Sequence, residues 1–492
     1  MKSTARTGRK APTRKPARDA ATGTAPATAS TAPSPRAIHP GAVQDAGTFA
    51  GGSYPASGLV GAAPDAATTA DAGPATGYTA VQFGAGAASG GALFAWRPVF
   101  RRAPDLPAMP PQPGRPLRVV HVGPCLTRGG AEQWLVELTR FLDPSRVRVL
   151  RTIATVPGAI DPSFTRDLPV PVETGGAAAV RRAAEEADVL LSWGVALDEL
   201  LGDVRPKLSV FVAHGDGDYS RGLVERAKGH ADHVIAVSER VRRHACDGLP
   251  STVIYNGIDA ARLATTLPRD EARAALGFGP DDFVVGYLGR FAPEKRVPLI
   301  LEALEGLPED VKALLVGWGP LLPELRERAG RLAPGRVAFV TAADYLGDYY
   351  QAMDAFTLLG TEEGFSLAKL EAMMCGVPLI VTPVGAVPEL IVDRVNGLVV
   401  APDAPALRGA ITRLRQFPHW AAGLAAEAQS FARRHGHAAR MARDYERVLL
   451  ALWADRHGPL LAPAPKAKAK ARATKPKAAA KPKPLTRATT KA

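Results

Sequence analysis

Between residues 118 and 400, short apolar runs alternate with stretches that read as helix. The runs at 118–122, 147–154, 189–193, 209–213, 233–237 and 252–255 form one set; those at 284–288, 313–316, 337–340, 355–359, 379–381 and 397–400 form a second. Runs of this length without polar alternation suit strands covered on both faces of a parallel sheet. Intervening stretches, such as 177–187 and 223–230, read as the helical crossovers that parallel strands require. The chain therefore reads as α/β: two doubly wound, Rossmann-like domains of similar size with an interdomain cleft. Asn256-Gly257 and Pro268 mark the crossing between them. Ligands are expected at the carboxyl ends of the strands. Residues 404–457 read as helical.

Charge separates the ends from the middle. The net charge is +13. Residues 1–18 carry seven Lys or Arg and residues 463–492 carry ten, with no acid in either stretch. Without those 17, 44 basic residues face 48 acidic ones, leaving about −4. The basic surplus belongs to the ends, so specific nucleic-acid binding by the fold is not expected. Residues 1–114 are rich in Ala, Pro, Gly and Thr, with one apolar patch at 92–100, and are expected to be disordered. The Lys/Ala/Pro stretch at 461–492 is expected to be a flexible polycation. The three cysteines are far apart in sequence, with neither metal-ligand spacing nor a disulfide framework. They suit a reducing compartment. No apolar run is long enough to span a bilayer, and the basic N-terminal stretch lacks the apolar region of a secretory signal.

Chemistry concentrates at 360–389, GTEEGFSLAKLEAMMCGVPLIVTPVGAVPE. It reads as a strand end, a loop with Glu362 and Glu363, and a helix capped by Ser366. Glu371 falls in the second turn of that helix, among residues whose pattern indicates burial. Such a carboxylate needs hydroxyl or cationic partners. An acidic loop meeting a helix N-terminus offers acceptors for sugar hydroxyls and amides for phosphate. Four further stretches stand out. Thr127-Arg-Gly-Gly-Ala-Glu132 follows the first strand; Gly129 and Gly130 either admit a ligand close to the backbone or make a plain turn. Ala213-His214-Gly-Asp-Gly-Asp218 ends a strand, and His214 is either a ligand contact or structural. Its acidic residues are too few for a cation site. In Gly289-Arg-Phe-Ala-Pro-Glu-Lys295, Arg290 and Lys295 either clamp a diphosphate or are surface cations. Leu315-Val-Gly-Trp-Gly-Pro320 is a strand ending in a turn at Gly317.

Glu363-x7-Glu371 with its surroundings resembles the donor motif of retaining glycosyltransferases of the GT-B fold, family 4 (glycosyl transferases group 1). Spacing alone is not distinctive, since Glu294 and Glu302 are also eight apart. The likeness covers roughly 116–456, with all five motifs in family order. It implies an N-terminal acceptor domain (115–262), a C-terminal nucleotide-sugar domain (263–436) and a terminal helix (437–460) crossing back. By resemblance, Glu363 and His214 approach the transferred sugar, and Arg290 and Lys295 neutralise the leaving diphosphate. Gly317, Gly364, Phe365, Ser366 and Leu367 line the donor, and Glu371 accepts from ribose hydroxyls. Gly129 and Gly130 border the acceptor. Departures from the pattern are Arg296, where a glycine commonly follows the lysine, and Gly385-Ala386-Val387 in place of Gly-Gly before Pro388-Glu389.

The expectation is sugar transfer from a nucleoside diphosphate sugar to a glycan, lipid-linked or small-molecule acceptor, with no metal and no cofactor beyond that co-substrate. The alternatives are a nucleotide-sugar epimerase of the same fold, or a non-catalytic protein binding polyanions through its tails. The expected location is the cytoplasm, with the tails touching the anionic inner face of the cytoplasmic membrane. Each basic residue near that surface would contribute about 1 kcal/mol. Vesicle flotation unchanged by deleting the tails would count against that contact.

Overall fold

The computed structural model describes residues 106–341 and 345–461. The expected tail up to 105, with its apolar patch, and the tail from 462 lie outside the described residues. Of the N-terminal stretch expected to be disordered, residues 106–114 are held against the fold. Arg146 donates to the Pro110 carbonyl at 2.7 Å and to Gln112 Oε1 at 2.9 Å, and Gly114 N donates to the Leu460 carbonyl at 2.7 Å.

Two parallel sheets organise the chain. The first holds β1 (Leu117–Gly123), β2 (Val147–Ala154), β3 (Val172–Thr174), β4 (Val189–Trp193), β5 (Leu208–Ala213), β6 (His233–Ala236) and β7 (Ser251–Val253). Its strand order is β3-β2-β1-β4-β5-β6-β7. The second holds β8 (Phe283–Leu288), β9 (Val311–Val316), β10 (Val337–Val340), β11 (Ala355–Leu358), β12 (Leu379–Val381) and β13 (Leu398–Val399), ordered β10-β9-β8-β11-β12-β13. Each order reverses once, between β1 and β4 and between β8 and β11, which places a crevice at each carboxyl edge. Strands β4, β5 and β6 are buried at every position, as runs covered on both faces must be. The edge strand β3 escapes the sequence reading because it is three residues long and half exposed.

The helices that bear on the site are α1 (Gly130–Phe141), α2 (Asp218–Ala227), α3 (Glu239–Ala245), α4 (Leu346–Ala352), α5 (Leu367–Met374), α6 (Val387–Leu390) and α7 (Ala438–His457). The helix expected at 223–230 is α2, which starts earlier, capped by Gly217, and stops before Gly229 at φ +78°. The terminal helix α7 packs on α1 of the first domain. Tyr445 lies 5.8 Å from Trp134, ring to ring, and Glu446 accepts from Asp143 N at 2.6 Å. Ile258 exchanges backbone hydrogen bonds with Gly436 and Ala438 where the chain returns. Among the described residues, no helix is long and apolar enough to cross a membrane.

Candidate active site

The crevice of the second sheet is built from three loops that lean on one another. β8 ends at Leu288, and the loop that begins at Gly289 passes through a 3-10 turn at Pro293–Lys295. Arg296 closes that turn at φ +52°, a left-handed position that favours glycine. Here the sequence departure is accommodated by backbone strain. Lys295 turns inward: its Nζ lies 3.0 Å from Glu363 Oε2 and 3.3 Å from the Glu362 carbonyl. Arg290 is more exposed and pairs with Glu294 at 2.6 Å. Gly317, at φ +145°, packs so tightly that a Cβ would sit 1.9 Å from the Gly289 carbonyl. Its place is therefore to let the turn after β9 support the Arg290 loop. Trp318 beside it is exposed.

The third loop precedes α5. Gly364 lies against the His214 carbonyl, where a Cβ would come within 1.9 Å, so this glycine sets how closely the two domains meet. Phe365 is buried against Tyr255, and Leu367 is buried as well. Ser366, at φ +66°, accepts from Lys369 N at 3.3 Å, as a helix cap should. Ala386 N donates to the Gly364 carbonyl at 3.0 Å, which holds the Gly385-Ala386 loop beneath the donor motif.

Glu371 is buried and has the partners its burial demands. It accepts from Tyr350 Oη at 2.8 Å and from Arg262 at 3.4 Å. Arg262 also donates to Glu137 of α1 at 3.0 Å. One guanidinium thus joins a carboxylate of each domain. Burial and the neighbouring Glu371 both push the Tyr350 phenol well above its ordinary range. A second bridge lies at Glu389 of α6, which accepts from the backbone N–H of Glu239 and Arg240 at the start of α3 and from Tyr255 Oη at 2.6 Å.

Across the junction, the first sheet's crevice holds a partly open cavity of about 130 Å³ between the carboxyl ends of β1, β4 and β5. Glu132 and His214 line it. Gly129 caps α1, and a Cβ there would meet the Glu132 carboxylate; Gly130 faces open space. Glu132 accepts from the Cys125 thiol at 3.4 Å, and burial raises its pKa. His214 packs edge-on to Trp134 with ring centroids 4.7 Å apart. Burial lowers its pKa to about 3, so the ring is neutral, and Nε2 is buried without a partner. Asp216, one of the acidic residues following His214, is buried and paired with Arg240.

The fold gathers Glu363, Lys295 and Gly364 at one crevice and brings the His214 backbone carbonyl against Gly364 from the other domain, while the His214 ring packs on Trp134. Arg290 stands at the rim. Gly317 supports a loop, and the side chains of Phe365, Ser366 and Leu367 are spent on packing and capping. Sequence reasoning missed Arg262, Glu137, Tyr350 and Tyr255. Their motifs carry no chemical signal, and only folding makes them neighbours. Glu132, inside a motif already noted, was within reach. Among the described residues, no group of three or more His, Cys, Asp or Glu is gathered as a metal site.

Two doubly wound domains facing each other through their strand ends, with acidic and basic loops at the junction, define a GT-B architecture. The chain belongs to the group 1, family 4 glycosyltransferases: the family model Glycosyltransferase Family 4 matches residues 128–262, and Glycosyl transferases group 1 matches 282–416. The chain is similar to the lipopolysaccharide core biosynthesis mannosyltransferase LpsB of Rhizobium meliloti, 35% identical over 38% of this chain and 54% of that protein. It is also similar to the D-inositol 3-phosphate glycosyltransferase of Actinosynnema mirum, 30% identical over 42% of this chain and 55% of that one. The chain thus spans about half the length of these curated relatives. Among solved structures, Anabaena HepE in complex with UDP-glucose aligns with a TM-score of 0.61 at 25% identity, covering 68% of this chain and all of that one.

Proposed function

We propose that this protein transfers a sugar from a nucleoside diphosphate sugar to a glycan, lipid-linked or small-molecule acceptor, with retention of anomeric configuration and without a metal. The observation that carries the reading is the Lys295–Glu363 pair at the β8/β11 crevice, in a loop whose Gly364 meets the His214 carbonyl of the facing domain. It supports a site where a cation and a carboxylate flank one reacting centre. Lys295, Arg290 and the amides opening α5 would neutralise charge building on the leaving diphosphate. That supply of fixed positive charge is the basis for the metal-free reading. Glu363 would position the sugar. Glu371 would take ribose hydroxyls, exchanging its contact with Arg262 for them. HepE was solved with UDP-glucose, which favours a uridine donor here. The relatives' names point to mannosyl transfer in lipopolysaccharide core synthesis or to a phosphorylated cyclitol acceptor. We further propose a cytoplasmic protein whose basic ends touch an anionic membrane face.

A thermal-shift panel of UDP-glucose, GDP-mannose and ADP-glucose on the full chain and on Glu371→Gln tests the donor site. Stabilisation by one nucleotide class, reduced in the variant, is expected. A folded protein unmoved by every donor would sink the reading. Product anomers resolved by NMR decide retention, and turnover unchanged by EDTA decides the metal.

A further inference from the structure

The cavity in the first domain has a composition that selects among acceptors. We infer that it takes one uncharged, hydroxyl-bearing ring of the acceptor and rejects the same ring carrying phosphate. This rests on the N-terminal crevice being the acceptor side. At about 130 Å³ it is close to the ~150 Å³ of an engineered cavity that holds one benzene ring. It therefore has room for one six-membered ring, with any further part of the acceptor projecting through its open side.

The walls carry apolar and aromatic surface with a few polar groups, the usual make-up of a small-molecule site. Trp193 is buried along one side, and Tyr219 stands at the mouth, 63% exposed. The polar groups are His214, Glu132 and Ser220. A neutral imidazole offers one donor and one acceptor, which a hydroxyl can meet. His214 Nε2 is buried without a partner, so a ligand hydroxyl there would satisfy it at no cost to another bond. The Glu132 carboxyl adds acceptors for further hydroxyls.

None of the lining side chains is Lys or Arg. Outside the lining, Arg128 faces Asp161 at 4.0 Å, and Arg290, whose charge reaches Glu132, pairs with Glu294 and is among the cations assigned to the leaving diphosphate. A phosphate in this cavity would lose water and meet a carboxyl group with no lining cation to offset either cost. The His214 carbonyl abuts Gly364 of the donor loop and the charge of Arg290 reaches Glu132, so the cavity lies on the side of the first domain that faces the donor crevice.

Ligand-observed NMR titrations on the full chain test the inference. The probes are methyl glycosides of glucose, galactose, mannose and N-acetylglucosamine, with myo-inositol; glucose 6-phosphate and an inositol monophosphate are the charged counterparts. At least one neutral ring binds, and charged counterparts bind roughly 100-fold more weakly or worse. Glu132→Gln keeps neutral binding and narrows that gap. Trp193→Leu loses it, while Trp193→Phe retains part, which covers a leucine variant that fails to fold. Phosphates binding as tightly as neutral rings would overturn the inference, and so would the absence of binding by every neutral ring. Nucleotide shifts read on the same samples separate the cases. Ring binding without any nucleotide shift sinks the transferase reading alone, and a nucleotide shift with phosphate-tolerant binding sinks only this inference.

Discussion

Glu371 and Glu137 share one cation: Arg262 lies 3.4 Å from the first and 3.0 Å from the second. The carboxylates belong to different domains, and the arginine sits in the 3-10 turn Ala260–Leu263 that connects them. Both carboxylates are buried, so neither can fall back on water.

Removing that cation leaves two buried carboxylates without it. Arg262→Met should lower the unfolding free energy by about 3 kcal/mol. It should also couple to Glu137→Gln by more than about 0.5 kcal/mol in a double-mutant cycle. Denaturant unfolding of the four proteins measures both. Strict additivity would show that the bridge is energetically idle.

Lys295 is the half-buried cation paired with Glu363 in the donor crevice. Lys295→Met should reduce kcat/KM roughly 100-fold or more with whichever donor the thermal-shift panel selects. Arg290→Met, losing a more exposed side chain tied to Glu294, should cost less. Steady-state kinetics rank the two, and the reverse order would assign the diphosphate to Arg290.

Glu389 satisfies two amides at the start of α3 and the Tyr255 hydroxyl. Glu389→Gln replaces one acceptor oxygen with a donor and orphans at least one buried group. Stability should fall by about 1–3 kcal/mol. Hydrogen exchange should quicken at the Glu239 and Arg240 amides specifically. Unchanged exchange there would rule out the bridge in solution.

His121 is wholly buried and His214 is held neutral in the cavity wall; burial lowers both to about 3 from an ordinary 6.5. The unfolded chain therefore binds more protons than the folded one between those values, and stability rises with pH across that window. Their contribution is complete above pH 6.5 and drains away as pH falls toward 3. Each histidine removes about 1.4 kcal/mol per pH unit once well below 6.5. Urea unfolding at pH 7 and 5.5 should show the loss, and His121→Leu should make the slope shallower. An unaltered slope would contradict the buried neutral ring.

The architecture was legible because it rests on local patterns. Runs such as 147–154 and 189–193 can be buried only as parallel strands, and the stretches between them can only be crossovers. Ser366 was readable as a cap because capping needs only a hydroxyl within three residues. Glu371 was readable as buried because the residues flanking it on α5 are apolar. Its partners were not readable. Tyr350 and Arg262 lie on segments whose sequences announce nothing: Tyr350 meets Glu371 through the packing of α4 on α5 inside the second domain, and Arg262 reaches it from the connection between the domains.

The division follows from range. Strand, helix, cap and the order of motifs depend on neighbours along the chain, so local pattern was enough to place both crevices, and the family resemblance of the motifs named Glu363, Lys295 and His214. Which carboxylate meets Arg262 and how Gly364 seats against the His214 carbonyl depend on contacts between residues a hundred or more apart, and the cavity without lysine or arginine forms only when loops from three strands of the first sheet converge. Those contacts arise only when the two sheets face each other and α7 returns to clamp them, burying charges that must then find partners across the domain boundary.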